Sequence, residues 1–165
     1  SWRGNLFGDQ VVLEGSGWEA LGYVTPWLLG GAVALWVAGF DVIYALQDAD
    51  FDRTNRLHSV PALLGKRGAL WAARLTHGVS ALLFLGFTYH VTHYVMDQGR
   101  LMGVRTFHLP LWVWAAPCVM LVGMIYQHSL VKPNDLSRVN VAFFTVNGII
   151  SVIFGAIFVA AWLLA

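Results

Sequence analysis

Four long stretches of the chain, 20–40, 75–96, 106–131 and 139–165, contain no Asp, Glu, Lys or Arg. Each is longer than the roughly 18 to 20 residues a helix needs to cross the hydrocarbon core of a bilayer. In that solvent a backbone must satisfy its polar groups internally, which a helix does within one segment. Only 12% of the residues are charged, about half the share of an ordinary soluble domain. The pattern therefore specifies an all-α, polytopic transmembrane helical bundle. The four spans fall at about 20–47, 72–96, 108–130 and 138–165. A polar, glycine-rich segment, 1–17, precedes a membrane domain over 18–165, and a loop over 48–71 joins the first two spans.

Several functions are excluded at this level. The net charge of +1 comes with no basic stripe, so no nucleic-acid partner is expected. Cys118 is the only cysteine, which rules out a disulfide within the chain, and its place in an apolar run suits packing. Trp18, Tyr23 and Trp27 form an aromatic belt where the first span enters the headgroup layer. Pro26 suits the first turn of that helix, Pro110 the first turn of the third, and Pro117 a kink. Pro61 and Gly65 interrupt the 48–74 region and leave room for a short surface helix, while Asn134 or Asp135 can cap the fourth span.

Alternate loops share a side of the membrane. The loops at 48–74 and 132–138 hold seven Lys and Arg, against three in 1–17 and 97–107. The positive-inside rule puts the first pair in the cytoplasm, with both ends of the sequence facing outward; the expected location is a bacterial inner membrane.

One of these cytoplasmic loops begins with an acidic stretch, 41–53, that holds four of the nine carboxylates. With Asp41 as zero on a helical wheel, Tyr44, Asp48 and Asp52 lie at roughly −60°, −20° and +20°, and Asp50 lies opposite. Three stacked carboxylates repel one another unless a cation sits against them. A hard divalent ion suits carboxylate oxygen, and Mg²⁺ is commonly held by one or two carboxylates plus substrate phosphates. Asp48 and Asp52 have that spacing, and Arg53, Arg56, Lys66 and Arg67 can neutralise further phosphate charge. A solvated, charged turn beside the membrane gives the same spacing, and the wheel alone does not choose between them.

Asp41-x-x-Tyr44-Ala45-x-Gln47-Asp48-x-x-x-Asp52, followed by Leu57-His58-Ser59-Val60-Pro61-Ala62, resembles the second aspartate-rich motif of the UbiA family of intramembrane aromatic prenyltransferases. Asp135-Leu136-Ser137-Arg138-Val139-Asn140-x-Ala142-Phe143-Phe144-x-x-Asn147-Gly148 is similar to a second stretch of the same family, in the expected order. The resemblance implies Mg²⁺-dependent transfer of a polyprenyl group from its diphosphate to an aromatic quinone precursor, of ubiquinone or menaquinone type. It makes Asp48 and Asp52 the metal ligands and puts Asp41 and Tyr44 in the cavity. It also implies about nine spans and a first aspartate motif. These 165 residues contain no second carboxylate cluster, so the chain reads as a C-terminal half whose partner is the missing N-terminal half. Relatives commonly carry Gly before Leu-His-Ser, where this chain has Arg56, and Arg-Phe-Gly after Pro-Ala, where it has Leu63-Leu64-Gly65.

Other polar residues within the spans admit two readings each. Asn140 and Asn147 lie on one side of the fourth helix, with Ser151, and suit either a cavity lining or helix packing. His90 and His93 with His108, or His77 with His128, raise the alternative of a four-helix haem-binding electron carrier. A catalytically silent half that packs with a partner is the third reading.

Overall fold

The computed structural model describes the backbone of residues 17–101 and 109–164, and side chains over 24–93 and 109–164. The segment 1–16, the residues 102–108 with His108, and the side chains of Trp18 and Tyr23 lie outside the described residues. Helix α1 (Gly17–Ala45) runs into a 3₁₀ turn (Leu46–Asp48) and the short α2 (Ala49–Thr54). Then come α3 (Val60–Leu101), a 3₁₀ turn (Leu111–Trp114) leading into α4 (Ala115–Leu130), and a π-helical turn (Val141–Val146) leading into α5 (Asn147–Leu164). Among the described residues, four helical stretches are long and apolar enough to cross a membrane: Val24–Thr54, Val60–His93, Leu111–Leu130 and Val141–Leu164. The fold is an all-α transmembrane bundle.

Polar ties fix how the helices run. The Thr25 hydroxyl meets His90 Nδ1 at 2.8 Å, Ser80 Oγ donates to the Ala32 carbonyl at 2.6 Å, and His77 Nε2 meets the Trp36 carbonyl at 3.1 Å. Residue numbers rise in α1 as they fall in α3, so the two helices are antiparallel. His77 fits between them because Gly39 has no side chain: a Cβ there would lie 2.1 Å from the imidazole. The core has two tiers. Ala32, Trp36, Phe84, Met120, Met124 and Ile150 fill the middle, and Ile43, Leu46, Leu70, Ala73, Val131 and Val139 close one end. Large apolar side chains such as Trp27, Leu75, Leu82 and Val152 are exposed on the outside. A helix apolar on every side belongs in lipid.

Two proline roles differ from those expected. Pro26 lies well inside α1, because the helix already begins at Gly17; the ladder donor it lacks is an accepted loss within a transmembrane helix. Pro117 falls in the first turn of α4, where its missing N–H is not needed, and the break in winding precedes it at the 3₁₀ turn. Asp135 caps a turn ahead of the fourth span. Its Oδ1 accepts from the Ser137 amide at 3.1 Å and the Ser137 hydroxyl at 2.6 Å. Those bonds hold its carboxyl below the usual carboxylate range. Cys118 is exposed on α4 and not packed in the core.

Candidate functional site

The acidic motif occupies the end of the bundle closed by Ile43, Leu46, Leu70, Val131 and Val139. Its helix does not continue unchanged. Three residues wind as 3₁₀ between α1 and α2, each advancing about 120° where an α-helix advances about 100°. The wheel is therefore overturned by about 60° beyond Asp48, and Asp52 turns away from the line of Asp41 and Tyr44. Asp48 sits at the junction with φ −97° and ψ 3°, in the bridge region common among active-site residues. Asp41 and Asp48 are exposed and Asp52 is half-buried. Among the described residues none of the three has a side-chain hydrogen bond or ion pair. Their oxygens are open to a cation.

Asp50 faces solvent, its side chain 84% exposed, and is also paired. Lys66 Nζ meets its Oδ2 at 2.7 Å, which brings the start of α3 against α2. Arg53 lies over the same break, its Nη2 3.9 Å from where a Gly65 Cβ would be. Gly65 has φ +69° and ψ 166°, a backbone conformation open essentially to glycine alone. It allows a short helical piece before the long helix. Ser59 caps that piece by accepting from the Ala62 amide at 3.3 Å. Arg53, Arg56 and Arg67 are exposed at this end, and Lys66 is held by Asp50.

Arg56 has φ +57°. Leu57 N–H donates to the Asp52 carbonyl at 2.8 Å and Arg56 N–H to the Arg53 carbonyl at 3.3 Å. That bond pair defines a Schellman ending, with Arg56 at the left-handed position that glycine usually takes.

Below the motif, Tyr44 packs on Phe143 with ring centroids 4.5 Å apart and on Phe144 at 6.2 Å, and Phe40 meets Phe143 at 5.2 Å. Phe143 and Phe144 come from the π turn, whose wide winding is frequent at functional sites. Sequence reasoning gave these two rings no role, although the doublet lies inside the second family-like stretch. The turn is anchored by Gln127, whose Nε2 donates to the Ala142 carbonyl at 3.0 Å and also to Asn147 Oδ1. Asn147 is thus buried between α4 and α5 in helix packing, while Asn140 is exposed.

Among the described residues, His77 and His128 are not arranged as a haem pair, and His108 lies outside them. His77 Nδ1 and His128 Nε2 share a direct hydrogen bond of 3.1 Å, whereas axial ligands stand on opposite faces of a macrocycle. His93 stacks on Tyr89 at 4.3 Å and His90 bonds Thr25.

Among the described residues no group of three or more His, Cys, Asp and Glu side chains is placed to hold a metal. Two open carboxylates fit an ion that draws its remaining ligands from a substrate and water. A family model, the UbiA prenyltransferase family, matches residues 11–149. No curated protein and no solved structure matches the chain.

Proposed function

The chain belongs to the UbiA prenyltransferase family, whose general activity is prenyl transfer in a membrane, and from that membership we propose transfer of a polyprenyl group from its diphosphate to an aromatic quinone precursor at the 41–52 end of the bundle. The observation that carries this reading is the pair of open carboxylates, Asp48 and Asp52, on the turns that follow Tyr44, whose ring stacks on Phe143. Asp48 and Asp52 would hold Mg²⁺, which when bound supplies charge neutralisation to the diphosphate leaving group.

The chain's own residues divide the remaining work. Arg53, Arg56 and Arg67 can hydrogen-bond the diphosphate as it gains charge, and Lys66 has two further N–H donors beside the one on Asp50. The faces of Tyr44 and Phe143 are electron-rich and suit an allylic cation, with Asp41 near by in support. The exposed apolar surface of the helices accepts the prenyl tail. The first aspartate motif would come from the missing N-terminal half, and the motif end would face the cytoplasm.

The test uses the chain together with a segment that supplies a first aspartate motif. Asp48→Asn and Asp52→Asn should each lower Mg²⁺-dependent transfer at least about 100-fold, the scale of losing one charge-stabilising group. Transfer that survives both changes would show that the metal is held elsewhere.

A further inference from the structure

We propose that the groove between α3 and α4 binds an anionic phospholipid whose headgroup also carries a hydroxyl, of the phosphatidylglycerol type. This cavity, about 290 Å³, contains none of the acidic-motif residues. Arg74, His77 and His128 make its polar end, and Leu121, Met124 and Ile125 its apolar flank.

The hydrogen-bond chain sets what the polar end can accept. A carbonyl can only accept, so the Trp36 oxygen requires His77 Nε2 to carry the proton. In a neutral ring His77 Nδ1 is then an acceptor, and His128 Nε2 must donate to it. That leaves His128 Nδ1 as an acceptor, buried and with no hydrogen-bond partner among the described residues. A buried polar atom of this kind is costly to leave unmet. A ligand hydroxyl that works in beside the ring would give this atom a donor.

Arg74 adds the second requirement. Its guanidinium lies 5.0 Å from the centroid of the Trp71 ring, and no Asp or Glu lines the groove. An exposed Trp with an Arg, just ahead of the charge-free run 75–96, marks the headgroup level. Basic pockets between helices at that level take anionic headgroups. Leu121 and Ile125 are exposed, 44% and 62%, and continue the groove along the acyl chains. The volume lies at the low end for a small-ligand pocket, so it takes a headgroup and leaves the chains outside. A phosphate oxygen meets Arg74 and a glycerol hydroxyl donates to His128 Nδ1. A choline headgroup has no donor and brings a cation toward Arg74.

Native mass spectrometry of the full chain, titrated with phosphatidylglycerol and phosphatidylcholine of matched acyl chains, tests this. Phosphatidylglycerol should be retained about fivefold over phosphatidylcholine, the weight of one arginine at an anionic headgroup. The preference should vanish in Arg74→Gln and persist in Arg74→Lys, with helix content by circular dichroism matching in both. Phosphatidylmethanol, anionic but without the hydroxyl, should bind less well than phosphatidylglycerol. Equal retention of phosphatidylglycerol and phosphatidylcholine, or a preference unchanged in Arg74→Gln, overturns the site. Phosphatidylmethanol matching phosphatidylglycerol overturns the role of His128. Displacement by soluble glycerol 3-phosphate at equal concentration overturns a lipid as the occupant.

Discussion

Arg56 stands at φ +57° where its turn calls for a residue without a Cβ. A left-handed backbone costs an L-residue about 1–2 kcal/mol, and glycine returns up to about 1 kcal/mol of that through its freer unfolded chain. Arg56→Gly should therefore raise stability by about 0.5–1 kcal/mol, whereas Arg56→Ala keeps the strain and leaves stability nearly unchanged. Thermal unfolding in a fixed detergent separates the two. Equal gains in both variants would remove backbone strain as the cause. The sequence made this position visible as a departure from the family's glycine, because local φ demands leave a residue-type signature. It could not show which cation Asp50 meets. The wheel set Asp50 apart from Asp48 and Asp52, but Lys66 reaches it only because Gly65 bends the chain back. That geometry belongs to a turn and has no periodic signature.

At the level of helices, charge-free runs revealed four membrane-spanning elements, since hydrocarbon imposes one requirement on every residue of a span. Changes of winding were not visible. The 3₁₀ turn at Leu46–Asp48 carries no residue-type signal, and the π turn at Val141–Val146 is tied to another helix. Gln127 on α4 makes the second of these by donating to Ala142 and Asn147 on the π-turn side. Replacing it with Leu leaves a main-chain carbonyl and an amide without that partner in the interior. Gln127→Leu should cost about 1–2 kcal/mol. Asn147→Leu should cost a similar amount, and the double variant less than the two together because they share one interaction. Unfolding free energies in mixed micelles check this. Additive losses would mean that the two amides act independently. Because Phe143 and Phe144 sit on that turn, Gln127→Leu should also weaken prenyl transfer, as misplaced rings no longer face Tyr44.

For the whole molecule, the bundle's ends decide orientation. Ile43 and Leu46, Leu70, Val131 and Val139 come from the end of α1 and its turn, the start of α3, and the two flanks of the 132–138 loop. Their packing together puts the acidic motif and that loop at one end of the molecule. The count of Lys and Arg would put that end in the cytoplasm by a rule about insertion, which geometry alone does not contain. The two arguments are independent and can be separated by labelling. In a Cys118→Ser background, Asn55→Cys and Asn134→Cys put one exposed thiol on each of the two loops. A membrane-impermeant maleimide should label both from the cytoplasmic face, in inside-out vesicles, and neither in intact cells stripped of their outer membrane. Labelling from opposite faces would contradict the packed end. Labelling of both from the outer face would keep the bundle and reverse the membrane, placing the carboxylates where a cytoplasmic diphosphate cannot reach them.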